Sequence, residues 1–241
     1  VMVGGGDGTL LTAIDGLIAA KLPLAVLPLC TFNELARTHG IPLDLDAAAA
    51  LVDDGVPHAL DVGTVNGAHF LNEASIGIST RVTSLQTPDV KRRWGMLAIP
   101  ITTLRALRWT RPMHLEIELE DGTSRRLRAV QLTVANSYRF GGVVENPEAS
   151  LEDGRLWLYS IDAKNFWQTV RILAAVALRR FAQTPEVVAL RGRHFVVRSV
   201  HGHHHHVAAD SEPITRLPAE FGIVNRALTV LVPPDRVPAI R

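Results

Sequence analysis

The sequence predicts a two-part fold: an α/β unit built on a parallel sheet over residues 1–58, then a larger, antiparallel β-rich unit over residues 59–241. Three observations predict it. Up to residue 54, short apolar runs alternate with helical periods and are punctuated by glycine and proline, the rhythm of parallel strands covered by helices. After Pro57 the apolar residues fall into period-2 or short continuous runs, the pattern of antiparallel strands. The last such run, 227–232, reads as a strand that returns to the first unit. No internal repeat or Gly/Ser linker separates the halves, so the boundary near residue 58 rests on the change of rhythm.

Taken in order, Val1 to Val3 end a buried strand and Gly4 to Gly8 form the turn after it. Residues 10–20 are helical, with apolar side chains at 10, 11, 14, 17 and 18 on one face. Residues 24–29 give a second strand between Pro23 and Cys30; a helix over 33–38 is stopped by Gly40-Ile41-Pro42, and another over 46–54 ends at Gly55. In the second unit strands are expected at 59–62, 69–71, 115–119, 127–135, 156–161, 187–190, 194–200, 214–217 and 227–232. Two helices, 94–109 and 166–181, pair an apolar stripe with arginines: Arg105 and Arg108 in one, Arg171, Arg179 and Arg180 in the other.

Composition narrows the function. With 47% hydrophobic and 20% charged residues the chain folds around a core, which excludes disordered and collagen-like classes. Lys+Arg 25 against Asp+Glu 24 gives no electrostatic case for a nucleic-acid partner. The single cysteine, Cys30, excludes a disulfide framework and a cysteine zinc site, and it suits the reducing cytoplasm. Asp15, Lys21, Arg105 and Arg171 interrupt the most apolar windows, so no transmembrane segment is expected. A mean hydropathy of +0.15 still leaves docking on a membrane surface open. No signal peptide is expected from the opening residues, and the chain reads as beginning in mid-domain, inside an apolar strand.

Two constellations carry chemistry. Gly4-Gly5-Gly6-Asp7-Gly8-Thr9 joins a strand to a helix, where close-approaching backbone N–H groups and the helix N-terminus make an anion site. An aspartate there fits if a cation or hydroxyl stands between it and a phosphate, or if Asp7 caps the following helix, in which case the turn needs no ligand. Pro28 to Arg37 is the second, at the same edge of the sheet, where α/β folds bind ligands. Thr31 and Asn33 could hydrogen-bond a nucleotide there, or simply cap the helix.

These residues resemble the diacylglycerol kinase catalytic family, which includes bacterial lipid kinases, sphingosine kinases and ceramide kinases. The likeness runs from Gly5-Gly6-Asp7-Gly8-Thr9 and Thr31-x-Asn33-x-x-Ala36-Arg37 through Asp61-Val62-Gly63, Phe70-Leu71-Asn72-Glu73-Ala74, Ala135-Asn136 and Ala149 to Gly154, and on to Asp210-Ser211-Glu212-Pro213. The resemblance implies a Rossmann-like nucleotide domain of the NAD kinase/diacylglycerol kinase type followed by an antiparallel β-sandwich. It implies ATP and Mg²⁺ as cofactors: Gly5, Gly6, Asp7, Gly8 and Thr9 hold the phosphates, Asp7 serves the nucleotide and its magnesium, and Thr31 adds a contact. Asp210-Ser211-Glu212 takes the place of the family's Asp-Gly-Glu, whose Glu is the base toward the lipid hydroxyl, so Glu212, Asp210 and Asp7 are the expected catalytic set. Ser150, Asp153 and Arg155 match positions that hold a structural magnesium in some bacterial members, Asp153 being the one charged ligand.

The sequence also departs from the family. Cys30 and Ser211 stand where it has glycines, Leu11 and Thr12 replace an Asn and a Glu, and the first strand and helix units that should precede Val1 are absent. Gly-Gly-Asp-Gly-Thr-Leu-Leu also resembles NAD kinases.

His201 and His203 to His206 place three imidazoles on one face of an extended strand, a spacing open to a transition metal or to a plain solvated edge. Lys91-Arg92-Arg93 ahead of the 94–109 helix suits an anionic membrane surface, or a helix packed on its own sheet. The expectation is therefore an ATP-dependent kinase of a diacylglycerol-like lipid, cytoplasmic or peripheral to the membrane, with a homodimer left open. The alternatives are an NAD kinase-like enzyme and an inactive lipid-binding homologue.

Overall fold

A computed structural model of the chain describes residues 1–31, 33–78, 111–137, 139–140, 144–145, 153–163, 166–178, 180–181 and 184–236. The 94–109 helix, Lys91-Arg92-Arg93 and Ser150 lie outside the described residues.

The N-terminal region is α/β, as its rhythm predicts. Strands β1 (Met2–Gly5) and β2 (Ala25–Pro28) pair in parallel, Met2 opposite Ala25. Between them helix α1 (Asp7–Ala20) buries Leu10, Ile14 and Leu17, the predicted stripe, and ends at Lys21 in the left-handed region. After β2 come the short helix α2 (Glu34–Thr38) and helix α3 (Leu45–Asp54), whose N-terminus is capped by the Asp44 carboxylate accepting from the Ala47 amide at 3.0 Å. Ala48 and Leu51 turn inward from α3 onto the same core.

The remainder is an antiparallel β-sandwich. One six-stranded sheet has the order β4 (Ala68–Phe70), β3 (Val56–Val65), β16 (Ala219–Val232), β13 (Phe195–Ser199), β6 (Met113–Leu119), β7 (Ser124–Ala129). The other runs β12 (Val187–Gly192), β11 (Leu156–Ile161), β8 (Gln131–Ala135), β5 (Glu73–Gly77), β14 (His206–Ala209), β15 (Glu212–Arg216). Strands β9 (Arg139–Phe140) and β10 (Val144–Glu145) form a separate antiparallel pair. Their facing sides pack Phe70, Leu115, Ile117, Leu132, Leu156, Leu158, Phe195 and Phe221, all fully buried. Each such side chain contributes about 1.5–3 kcal/mol by leaving water. Helix α4 (Phe166–Ala177) brings Ile172 into the cluster on the second sheet's other face, with Tyr159 and Phe181.

Three sequence expectations change. The run 127–135 is two strands in different sheets, β7 and β8, broken at Val130, whose amide donates to Ile161 O at 2.8 Å. Strands β5 and β14, rich in small residues, are additional to the strand ranges that the sequence predicts. The last strand is 14 residues long, not six: β16 lies along β3 and bulges between Val224 and Leu228. Its far end makes a parallel bridge from Val230 to Leu24, the residue before β2, and Leu228, Val230 and Val232 pack in the core of the α/β region.

Candidate active site

The glycine turn closes on α1. Gly6 is its N-cap residue, and a Cβ there would stand 2.7 Å from the Cys30 sulfur; one on Gly5 would stand 2.5 Å from Thr9 Cβ. Only glycine fits either place. Gly8 is different: the one neighbour that a Cβ there would meet within 4 Å is Glu212 Oε1, at 3.8 Å. The start of α1 and the start of β15, 204 residues apart in sequence, therefore face each other.

Asp7 does not cap its own helix. Its carboxylate accepts from the amides of Glu34 at 3.0 Å and Leu35 at 3.1 Å, the first residues of α2, and so ties the two polar turns together. Asn72 Nδ2 donates to Asp7 Oδ1 at 3.4 Å. The Asn72 backbone amide donates to Asp210 Oδ1 at 2.9 Å, flanked by Leu71 N to Oδ2 at 2.6 Å and Glu73 N to Oδ1 at 3.1 Å. Asp7, Asn72 and Asp210 thus form one chain across the seam between the units. Burial pushes the Asp210 carboxyl up to about 6; the three amides pull the other way, and the Asp7 charge adds to the rise.

The local reason for this placement is a hairpin. Asp210 (φ 45°) and Ser211 (φ 75°) are the two residues between β14 and β15, both left-handed, the type I′ arrangement that favours Asp-Gly. Asp210 turns inward and is spent on backbone amides, while Glu212, two residues on, is exposed beside Gly8. Of the two family glycines replaced here, position 211 keeps the positive φ. Cys30 does not; its sulfur instead packs against Gly6.

Other candidates sit differently. Thr9 and Thr31 are exposed at the same sheet edge. Both amide atoms of Asn33 are spent on Cys30: Nδ2 donates to its carbonyl at 2.5 Å and Oδ1 accepts from its N–H at 3.1 Å, which shapes the turn. Asp153 Oδ2 lies 2.6 Å from Arg191 Nη2 and Oδ1 accepts from Arg155 N at 2.9 Å, so each of its oxygens already has a partner. The rings of His114, His201, His203 and His205 follow one another at centroid distances of 5.3, 6.3 and 5.9 Å. Among the described residues no group of three or more His, Cys, Asp or Glu could hold a metal ion, and no helix is long and apolar enough to cross a membrane.

In the sequence Asn72, Asp61 and Asn136 stand out only as members of the family motifs. Asp61, buried, accepts from Gly154 N at 2.9 Å and Arg226 N at 2.8 Å; Asn136 Nδ2 donates to the carbonyls of Asp61 and Leu71 at 2.8 and 3.1 Å. The signal that could have found them is polar residues inside otherwise apolar runs.

Comparisons with known proteins bear on the family and the fold. Residues 1–65 match the diacylglycerol kinase catalytic domain, and residues 72–232 match the YegS C-terminal NAD kinase beta sandwich-like domain. A Bacillus subtilis (strain 168) diacylglycerol kinase is 33% identical over 183 residues, 74% of this chain and 60% of the relative. A "Probable lipid kinase YegS-like" protein of Pseudomonas syringae pv. tomato is 36% identical over 159 residues, 65% and 52% of the two chains. This chain therefore spans less than two thirds of either relative. The backbone superposes on the crystal structure of a Bacillus anthracis str. Sterne protein, whose name also refers to diacylglycerol kinase, with a TM-score of 0.81 at 23% identity, covering 98% of this chain and 77% of that one.

Proposed function

Because the chain belongs to the diacylglycerol kinase and YegS-like lipid kinase family, we propose that it transfers the γ-phosphoryl group of ATP to the hydroxyl of a diacylglycerol-like lipid at a membrane surface. The observation that carries this reading is the approach of Glu212 Oε1 to Gly8, which sets an exposed carboxylate over a glycine-lined helix N-terminus. The Gly5 to Gly8 turn, the exposed Thr9 side chain and the positive end of α1 bind the phosphates, the Thr9 amide itself donating to Gly6 O at 2.9 Å. Glu212 accepts the proton of the lipid hydroxyl as its oxygen bonds to the γ-phosphorus and the bond to the bridging oxygen breaks, releasing ADP. Asp210 is a positioning residue: fully buried and saturated by amides, it fixes the 71–73 turn and, through Asn72, Asp7.

The residues present fit a magnesium ion shared with nucleotide phosphates. Asp7 Oδ1 accepts from both Leu35 N and Asn72 Nδ2, but Oδ2 accepts only from Glu34 N and keeps a lone pair for the ion, and one or two carboxylates are what such an ion takes from protein. When bound, the ion neutralises charge on the phosphates. Asp7 would hold it, and α2 holds Asp7.

The test supplies Mg-ATP and diacylglycerol-containing vesicles to the full chain and follows phosphate transfer, with NAD as a second acceptor. Glu212→Gln is expected to lower kcat about 10²–10⁴-fold with unfolding unchanged, and Asp7→Ala to abolish transfer. Parent-like turnover in both variants overturns the assignment, and transfer to NAD rather than lipid redirects it.

A further inference from the structure

We propose that the Arg191 guanidinium takes the place of a structural divalent cation at the loop that leads into β11. The resemblance puts a magnesium ion there on Ser150, Asp153 and Arg155, with Asp153 its single charged ligand. In this chain that ligand is already engaged: Oδ2 meets Arg191 Nη2 at 2.6 Å and Oδ1 meets Arg155 N at 2.9 Å. The Asp153 side chain is 19% exposed against 40% for Arg191, so the pair is partly shielded from water. A dication brought to the same oxygens would face a fixed positive charge a few ångströms away, and it would have to break an existing charge-assisted bond.

The guanidinium is held in place before it meets Asp153. Arg191 lies directly across the β11–β12 ladder from Trp157, and its guanidinium carbon stands 5.6 Å from the Trp157 ring centroid. Strand register fixes the stem of the side chain and the ring face steadies its head. The loop it secures has a structural task. Gly154, left-handed at φ 63°, donates its amide to buried Asp61 Oδ2, while Asp61 Oδ1 takes the Arg226 amide at the β16 bulge. Arg191 thereby keeps the Asp61 junction closed with a cation carried by the chain itself.

Unfolding temperatures of the nucleotide-free full chain in EDTA and in millimolar MgCl₂ test this. The parent and Asp153→Asn should respond alike to magnesium, because the Arg191 guanidinium already neutralises Asp153. Arg191→Gln should unfold a few degrees lower in EDTA, roughly the shift of a partly buried ion pair, and should recover most of that loss in MgCl₂ as the freed carboxylate accepts the ion. Arg191→Lys should fall between the two, since a point charge lacks the planar fork. A parent whose magnesium stabilisation exceeds that of Asp153→Asn overturns the proposal, as does an Arg191→Gln variant that neither loses stability nor gains a magnesium response. Turnover enters none of these readouts, so their failure is separate from failure of the phosphoryl-transfer reading.

Discussion

Between the two six-stranded sheets, Phe70, Phe195 and Phe221 sit fully buried among aliphatic side chains, whereas the seam toward the α/β region buries Asp61, Asn72, Asn136 and Asp210 along the same strands and their turns. The sandwich core is held by area removed from water and by close packing, neither of which depends on direction. The seam is held by bonds with one geometry each: three amides on Asp210, two on Asp61, two carbonyls under Asn136. A non-directional core supplies stability without dictating where a functional group stands. Satisfied buried polar groups do dictate it, because any other arrangement strands a donor or acceptor out of water.

The widest separation between the two regions should come from one substitution in each. Phe195→Ala removes a fully buried ring and is expected to cost about 3–5 kcal/mol in urea unfolding, with kcat per folded molecule unchanged. Asp210→Ala leaves the amides of Leu71, Asn72 and Glu73 without their acceptor. It is expected to cost about 3 kcal/mol and also to lower kcat at least 10²-fold, because Asn72 and Glu212 lose their fixed places. If Asp210→Ala changed stability alone, the seam would be packing of another kind and the comparison would fail.

Acidification separates the seam from the α/β region beside it by sign. His39, at the end of α2, is buried beside His58, its Nε2 finding no partner among the described residues; burial first, then the His58 charge, lowers its pKa to about 4. Between pH 6.5 and 4 the unfolded chain takes up this proton and the folded chain does not, so stability falls as pH falls, by about 3 kcal/mol in all. Asp210 behaves oppositely: with its pKa raised to about 6, the folded state takes the proton first, and stability rises as pH falls from 6 toward 3.8. The two slopes offset each other in the parent. Denaturant titrations from pH 7 to 4 should show His39→Asn losing less stability on acidification than the parent, and Asp210→Asn losing more. Identical slopes in all three proteins would remove both assignments.

How legible each region was follows the same division. The stripe Leu10, Ile14, Leu17 and the stops at Gly40 and Gly55 were readable because helical period and turn chemistry are local. The break of 127–135 into two sheets was not, since an apolar run says nothing about which sheet receives it, and β16 showed only as its returning half, 227–232, because its two halves face different cores. At the site, glycines and carboxylates announced themselves by type, and the resemblance assigned their roles. What no local signal carried was the partner: Asp7 reaches across 27 residues to α2, and Asp210 across 139 to Leu71. A carboxylate that caps a distant turn has the same one-letter code as one that binds a metal.

The smallest effect concerns the turn that delivers Glu212. Ser211 holds φ 75° at the second central position of a two-residue hairpin, where a side chain is strained and glycine is not. Ser211→Gly removes the strain but adds freedom to the unfolded chain, so a net gain of about 0.5–1 kcal/mol is expected in urea unfolding. Ser211→Gly leaves the Asp210 amide cradle and the Gly8–Glu212 approach in place, so kcat should stay within a factor of about two. A loss of stability would mean that the serine hydroxyl contributes more than its backbone costs. The hairpin would then belong with the directional bonds of the seam rather than with its strained supports.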